Sequence, residues 1–167
     1  TTAVHEAFAC DPSLAFPATY DCFAAAHVLV SKGCFTPWLK HLVPARRPLD
    51  AMPFGLDRPQ EDEFALCVLG APSPYLDWLL PNQPPQYERF TLLHGVSAAE
   101  HAQWCAAFMR VVKSLTHLYQ RRLVLKSPLH TGRLATLLHL FPDARVVHIV
   151  RHPYAVIPST MRLWECL

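Results

Sequence analysis

The longest run of helical periodicity lies in the second half of the chain. A capping box of Ser97 and Glu100 precedes an apolar stripe that continues to about Tyr119. The stripe consists of Trp104, Phe108, Val111, Leu115 and Leu118. The pattern predicts one long helix that serves as a scaffold and faces the core.

Three shorter helices are predicted in the first half, and two of them lie at residues 1–9 and 61–70. Residues 1–9 place Val4 and Phe8 at helical spacing. The stretch "EDEFALCVLG" at 61–70 has acids in its first turn and Gly70 just past its end, which is typical of a short helix.

Prolines dominate the region between these helices. Residues 21–33, "DCFAAAHVLVSKG", read as a helix closed by Gly33. Residues 36–60 then contain five prolines and predict a long irregular loop or lid. Loops of this length are uncommon unless they are functional.

After the long helix the pattern changes to that of buried strands. "RLVLK" at 122–126 and "ARVVHIVR" at 144–151 are short, apolar on both faces and separated by a predicted helix of about ten residues. The pattern predicts a β-α-β unit with parallel strands. A right-handed crossover would bring Lys126 and Arg151 to the same carboxyl edge, where ligands bind in open α/β sheets.

Two cations at one sheet edge, each followed by a helix start, favour a phosphate or sulfate site. The alternative is that each basic residue only marks the point where its strand reaches water. The chain has five glycines and neither G-x-x-x-x-G-K-[ST] nor G-x-G-x-x-G. A complete nucleotide site is therefore not expected within these residues.

Composition limits the remaining possibilities. With 51% hydrophobic and 17% charged residues, the 167-residue chain is expected to form one soluble globular unit. A net charge of +2 gives no reason to expect nucleic acid or a membrane surface as a bulk partner, although a local basic site remains possible. The six cysteines contain no C-x-x-C pair, so no metal site is predicted and reduced thiols are expected.

The segment "RLVLKSPLHTGRLATLLHLFPDARVVHIVRHPYAVIPSTMRLW" resembles the sulfotransferases that use 3'-phosphoadenosine 5'-phosphosulfate (PAPS), in particular their bacterial-type and tyrosylprotein-like branch. The stretch "RRPLDAMPFGLDRPQEDEFAL" is also typical of that branch. The resemblance implies an α/β, P-loop nucleotide-kinase-like three-layer fold with a central parallel sheet. It also implies that residues 1–167 are a single truncated domain in which that fold is incomplete.

The resemblance implies roles for several residues. Arg151 and Ser159, eight positions apart, match the family residues that hold the 3'-phosphate, and Lys126 matches the lysine that reaches the sulfuryl group. Thr1 and Thr2 match the end of the P-R-S-G-T-T loop that holds the 5'-phosphosulfate. The chain is therefore expected to lack most of that loop and to be inactive by itself.

Sulfuryl transfer also needs a base for the acceptor proton. The candidates are Glu61, Glu63 and His130. Glu61 is expected to point inward, but acids in a first helical turn also complement the helix dipole, and His130 could equally cap the following helix. Pro158, inside the helix that should present Ser159, is expected to kink it.

The predicted activity is transfer of a sulfuryl group from PAPS to an acceptor hydroxyl or amine, with PAPS as co-substrate and no metal. The predicted partners are this nucleotide and an unknown acceptor, with neither nucleic acid nor a membrane segment, and the predicted compartment is the cytoplasm. Two alternatives remain open at this point. One is a nucleotide or small-molecule kinase on the same fold, and the other is a non-catalytic binding module.

Overall fold

The computed structural model describes residues 2–39, 42–44, 46, 53–79 and 82–165. The helices are α1 (Thr2–Ala9), α2 (Thr19–Phe23), α3 (Val28–Leu39), α4 (Asp62–Val68), α5 (Pro74–Leu79), α6 (Ala98–Tyr119), α7 (Leu134–Leu140) and α8 (Pro153–Glu165). The strands are β1 (Leu14–Ala15) and β2 (Arg122–Leu123). Two 3₁₀ turns, Glu88–Thr91 and Pro128–Thr131, complete the described elements.

The long helix α6 forms as predicted, because its capping box and its apolar stripe are both local features. The Ser97 hydroxyl accepts the Glu100 amide at 3.2 Å, and the Glu100 carboxylate accepts the Ser97 amide at 2.8 Å. Trp104 and Phe108 stack with ring centroids 5.2 Å apart and are buried with the rest of the stripe's core side. Burial of each such side chain stabilises the fold by roughly 1.5–3 kcal/mol, so α6 anchors the core against which α4 packs.

The chain is α/β with a small parallel sheet. β1 and β2 pair in parallel, with Leu14 opposite Arg122 and Ala15 opposite Leu123. The Val124 amide extends the pairing by donating to the Ala15 carbonyl at 2.7 Å. The first predicted strand is therefore confirmed only in part, because β2 ends at Leu123 and not at Lys126, and its partner is one that the sequence pattern did not indicate. The larger three-layer arrangement stays a prediction.

The second predicted strand, at 144–151, is not formed among the described residues. Val146, Val147 and Val150 are exposed, and no neighbouring strand lies alongside them in the described part of the chain. A strand requires partners for its backbone N–H and C=O groups, so apolar, β-branched composition alone does not produce one.

The helix predicted over 21–33 was wrong in its bounds. It is divided into α2 and α3, and α3 continues past Gly33 and through Pro37. Pro37 lacks the N–H that would donate to the Gly33 carbonyl, so α3 loses one bond at this point. The Thr36 hydroxyl, which donates to the Lys32 carbonyl at 2.5 Å, supplies another bond in the same turn.

The other short helices agree with the pattern, but the predicted loop at 36–60 was wrong at its start, because residues 36–39 belong to α3. α1 and α4 form as predicted, and Gly70 adopts φ +78 just past α4, a conformation that glycine accepts without strain. The predicted loop at 36–60 lies partly outside the described residues. Its far end is fixed to α2 by the Thr19 amide, which donates to the Arg58 carbonyl at 2.9 Å.

The described ranges contain neither a helix suited to cross a membrane nor a group of side chains suited to hold a metal ion. None of the helices there combines the length and the apolarity needed to cross a bilayer. Within the same ranges, no three His, Cys, Asp or Glu side chains are grouped so that they could hold a metal ion. Five described cysteines are free thiols: Cys10, Cys22, Cys34, Cys67 and Cys105.

Candidate active site

Three consecutive acids at the start of α4 meet three cationic side chains from the segment that follows β2. Glu61 pairs with Lys126, Asp62 with His130, and Glu63 with Arg133. We call these six residues the ion-pair row. The spacing of the cations, four and then three positions, follows the tight 3₁₀ turn at Pro128–Thr131, which begins at the Ser127 cap.

The Glu63 and Arg133 pair forms the buried end of the row. Both side chains are inaccessible to solvent, and Arg133 contacts the two Glu63 oxygens at 2.6 and 3.1 Å. The Ser73 hydroxyl donates to the same carboxylate at 2.5 Å, and Arg133 Nε donates to the Phe90 carbonyl at 2.8 Å. The guanidinium also lies 4.8 Å from the centre of the Trp104 ring. Such complete bonding is what makes a buried ion pair tolerable.

Gly132 allows this pair to form where it does. A Cβ atom built at Gly132 would lie 2.8 Å from the Thr91 carbonyl oxygen and 2.5 Å from a Leu92 methyl group. The absence of a side chain therefore lets the turn before Arg133 approach the Glu88–Thr91 segment, which carries Phe90.

The Asp62 and His130 pair occupies the middle of the row. His130 Nε2 lies 3.1 and 3.0 Å from the two Asp62 carboxylate oxygens. Burial works against the imidazolium, but the charge and hydrogen bond of Asp62 outweigh it and raise the pKa of His130. Burial likewise works to raise the pKa of Asp62, but His130 outweighs it and the pKa is lowered. The pair is therefore charged over a wider pH range than either group would be alone.

The Glu61 and Lys126 pair forms the open end of the row. Each side chain keeps 17% of its surface exposed, and the ammonium donates directly to the Glu61 carboxylate. The Tyr75 hydroxyl, from α5, donates to the other Glu61 oxygen. Burial and the neighbouring Glu61 charge raise the pKa of Tyr75, so its hydroxyl remains a donor.

His5 on α1 adds a buried imidazole near the open end. It is only 4% exposed, and its Nε2 has no hydrogen-bond partner among the described residues. Burial, followed by the positive charge of Lys126, lowers the pKa of His5 and keeps the ring neutral.

The structure thus brings together four of the residues that the sequence predicted: Lys126, Glu61, Glu63 and His130. Arg151 lies just before α8 and Ser159 lies within it, and both residues are exposed. In the described ranges, the hydrogen bonds of α8 and of residues 145–152 stay within that segment. Thr2 begins α1, and Thr1 lies outside the described residues.

The sequence analysis missed four members of this network: His5, Asp62, Tyr75 and Arg133. Asp62 lies between two predicted candidates, Glu61 and Glu63, and this position in the sequence could have indicated that it belongs to the site. Glu61, which was expected to point inward, lies just before α4 and is partly exposed, whereas Asp62 and Glu63 are fully buried. Tyr75 and His5 gave no signal, because their contacts arise only when α1 and α5 pack beside α4 and the segment after β2.

Comparison with known proteins identifies the family to which the chain belongs. A family model described as the sulfotransferase family matches residues 1–166. The chain therefore belongs to the sulfotransferase family, and the predicted resemblance is confirmed.

Two curated relatives are informative at the level of individual proteins. The chain is 40% identical over its 167 residues to the omega-hydroxy-beta-dihydromenaquinone-9 sulfotransferase Stf3 of Mycobacterium bovis (strain ATCC BAA-935 / AF2122/97) and, to the same degree, to that of Mycobacterium tuberculosis (strain CDC 1551 / Oshkosh). The match covers the whole chain and 43% of each relative, so the chain spans less than half of their length. No solved structure matches it.

Proposed function

We propose that this chain forms part of a sulfotransferase that moves a sulfuryl group from PAPS to the hydroxyl of an apolar acceptor. Family membership and the names of the two relatives support the sulfuryl transfer. The assignment of PAPS as the donor rests on the sequence resemblance. The roles of particular residues rest on the geometry of the ion-pair row and on the exposure of Arg151 and Ser159.

The observation that carries the proposal is the position of Lys126. It lies three residues beyond the end of β2, on the carboxyl side of the parallel pair. It is partly exposed, and a single carboxylate, that of Glu61, balances its charge. A compact ammonium in this place can stabilise charge that develops on an oxygen during transfer. An anion that arrived at the edge could take the place of Glu61 as its partner.

Arg151 and Ser159 suit the 3'-phosphate of the donor. Both are exposed, and the ion pairs among the described residues do not include Arg151. A guanidinium and a hydroxyl are side chains that recognise phosphate oxygens well. α8 continues through Pro158, so Ser159 lies within a helix.

Glu61 is the candidate base that best fits proton transfer. Its carboxylate is partly exposed, whereas both oxygens of Glu63 are bonded within the core and Nε2 of His130 faces Asp62. When Lys126 turns to an incoming anion, Glu61 loses its cation and becomes free to accept a proton. The Tyr75 hydroxyl holds the carboxylate in place during this exchange.

The proposed reaction balances without a redox partner or a metal. PAPS supplies the sulfuryl group, whose S–O bond to the 5'-phosphate breaks as the acceptor oxygen bonds to sulfur. The hydroxyl proton passes to the Glu61 carboxylate, and the products are a sulfate ester and the 3',5'-bisphosphate. Lys126 stabilises the charge that accumulates on the departing phosphate oxygen.

The proposed acceptor class comes from the relatives. Both are named for a hydroxylated menaquinone, which is an alcohol on an isoprenoid tail. At 40% identity over the whole chain, the same class of acceptor, a hydroxyl on an apolar molecule, is the substrate that we infer.

The test uses the complete gene product that carries this chain. It is incubated with [³⁵S]PAPS and a panel of hydroxylated isoprenoid quinones and simple long-chain alcohols, and sulfated products are identified by mass spectrometry. Labelled sulfate on an alcohol supports the proposal. Phosphate transfer from ATP to the same panel would indicate a kinase, and nucleotide binding without transfer would indicate a binding module.

A further inference from the structure

Four aromatic rings from three helices lie one after another beside the open end of the ion-pair row. The ring centroid of Phe23, on α2, lies 5.6 Å from that of Phe64, on α4. The Phe64 centroid lies 5.4 Å from that of Tyr75, on α5, and Trp78 stacks on Tyr75 at 4.5 Å. Each separation is suited to a favourable ring contact. We call Phe23, Phe64, Tyr75 and Trp78 the aromatic strip.

The aromatic strip is joined to the candidate active site through Tyr75. The ring of this residue belongs to the strip, and its hydroxyl donates to one carboxylate oxygen of Glu61. The other Glu61 oxygen accepts the Lys126 ammonium. The strip therefore begins one hydrogen bond away from the group that is proposed to receive the acceptor proton.

The strip is held in place by polar contacts on its inner side. The Ser73 hydroxyl accepts the Tyr75 amide at 3.2 Å and donates to Glu63 at 2.5 Å, so the start of α5 is fixed to the buried end of the ion-pair row. Asp77, the charged residue of α5, accepts two backbone amides of residues 86–87 at 2.9 Å each. Its carboxylate is thus already bonded to a neighbouring loop.

Two rings of the strip are open to solvent. Phe23 is 54% exposed and Trp78 is 44% exposed, whereas Tyr75 is buried between its neighbours and Glu61. Val68, one turn after Phe64 on α4, is also exposed and extends the apolar surface. Aromatic side chains with a few well-placed polar groups are the usual lining of a site for a small apolar ligand. The surface thus has a polar end at Glu61 and apolar rings beyond it.

We propose that the aromatic strip is the subsite for the hydrocarbon part of the acceptor, and that Phe23 and Trp78 give the enzyme a preference for long apolar alcohols. The acceptor hydroxyl lies at Glu61, and its chain lies along the exposed rings. This inference rests on the proposed function, in which Glu61 takes the proton of an alcohol on an apolar molecule. It adds the residues that recognise the rest of that molecule.

The contact with Glu61 favours substrate over protein as the occupant of the strip. A protein segment seated on these rings would also cover the open end of the ion-pair row, which must admit the acceptor. A ligand with a hydroxyl at one end and an apolar chain matches both parts of the surface. Burial of the chain against the rings removes apolar area from water on both sides.

The first test compares geraniol, farnesol and geranylgeraniol, each one isoprene unit longer than the last, as acceptors for the complete gene product with PAPS. In the wild type, kcat/KM should rise at least about tenfold along the series, because a longer chain removes more apolar surface from water. F23A/W78A should reduce the rise to about twofold. Phe23→Ala and Trp78→Ala alone should each lose part of it.

The matched control removes the same two kinds of side chain from another helix. Phe35 and Trp38, on α3, are 57% and 80% exposed. F35A/W38A should keep the preference of the wild type for the longer alcohols. Urea unfolding without ligand checks that both double variants are folded.

A binding measurement separates the subsite from the chemistry. In equilibrium dialysis with tritiated farnesol, the wild type should bind at least about tenfold more tightly than F23A/W78A, whether or not sulfate is transferred. If farnesol binds in this way but no alcohol is sulfated, the proposed function fails and the subsite is supported.

Three results would overturn the subsite. One is a rise along the alcohol series, or an affinity for farnesol, that is the same in F23A/W78A as in the wild type. Another is an equal loss in F35A/W38A. The third is a much larger fall in the urea midpoint for F23A/W78A than for F35A/W38A, which would mean that another segment of the complete protein packs on the strip.

Discussion

The two ends of the ion-pair row use the same kind of contact in opposite surroundings. At one end, Glu63 and Arg133 are sealed in the core, and several neutral groups bond to them as well. At the other end, Glu61 and Lys126 lie at the edge of the sheet and remain partly exposed. A desolvated, fully bonded charge cannot change partners without a large free-energy cost, whereas a charge at the edge can exchange a carboxylate for an anionic ligand. Among the three consecutive acids, Glu63 therefore has a structural role, and Glu61 is the one placed for the proposed chemical role.

The largest expected effect is on stability, at the buried end. Arg133→Met would leave Glu63 as an uncompensated buried charge and the Phe90 carbonyl without its donor. We expect the free energy of unfolding to fall by roughly 3–5 kcal/mol, the usual cost of breaking a buried pair. Urea unfolding followed by circular dichroism measures the change.

Two variants keep this stability measurement interpretable. Glu63→Gln preserves the shape and part of the hydrogen bonding, so it should fold and lose less than Arg133→Met does. Lys126→Met applies a comparable removal of charge to the open end and should cost only about 1 kcal/mol. Similar losses at the two ends would contradict the division of roles.

The next largest effect is on catalysis, at the open end. In the complete enzyme, Lys126→Met should lower kcat by roughly 10²- to 10³-fold, because it removes a preorganised charge that acts mainly in the transition state. Affinity for the nucleotide should fall only several-fold. Lys126→Arg should restore little activity, since a planar guanidinium does not replace a compact ammonium. Steady-state kinetics with nucleotide titration measure both quantities, and unchanged turnover in a folded Lys126→Met enzyme would remove Lys126 from the mechanism.

Features encoded locally were predictable from the sequence. The α6 boundaries follow from Ser97, Glu100 and an apolar stripe within one segment, and the end of α4 follows from Gly70. A short strand in the apolar run before Lys126 was also predictable, although β2 ends at Leu123, three residues before Lys126. These features depend on the spacing of neighbouring residues and require no knowledge of tertiary contacts.

Features that depend on distant partners could not be predicted in the same way. β2 pairs with only two residues, Leu14 and Ala15, which lie more than a hundred positions away. The 144–151 segment has strand-like composition but no partner strand among the described residues. Which acid of 61–63 meets which cation is decided by how α4 packs against the turn after β2, and hydrophobic periodicity does not encode that choice.

A smaller effect tests whether anion recognition extends beyond the open end. Arg151→Ala should weaken binding of the 3',5'-bisphosphate product by roughly 2–3 kcal/mol, the value of a lost charge-assisted contact. Binding of the analogue without the 3'-phosphate should hardly change. Calorimetric titration of both ligands measures the difference. Equal losses would mean that Arg151 contacts another part of the nucleotide or has a structural role.

The smallest effect concerns the middle of the row, where the pH dependence reveals the charge state. The pKa of His130 is raised above its ordinary value of 6.5, so its pairing stabilises the fold fully below that pH and less as the pH rises through the folded-state pKa. The pKa of Asp62 is lowered below 3.8, so its contribution is present above that pH and is lost in acid. Both contributions coincide between about pH 4 and 6.5.

His130→Gln should therefore be less stable than wild type by about 1.5 kcal/mol near pH 5.5, the lower range for a hydrogen bond between charged groups. The gap should narrow at pH 8.5 as the imidazolium of the wild type loses its proton. His5, whose lowered pKa gives the opposite pH dependence, is present in both proteins and cancels in the difference. Urea midpoints at the two pH values measure the gap, and exposed His117→Gln is the control with no expected change. A stability difference that is constant or that widens at high pH would mean that His130 pairs with Asp62 as a neutral ring. Only the two outer pairs of the row would then be ion pairs.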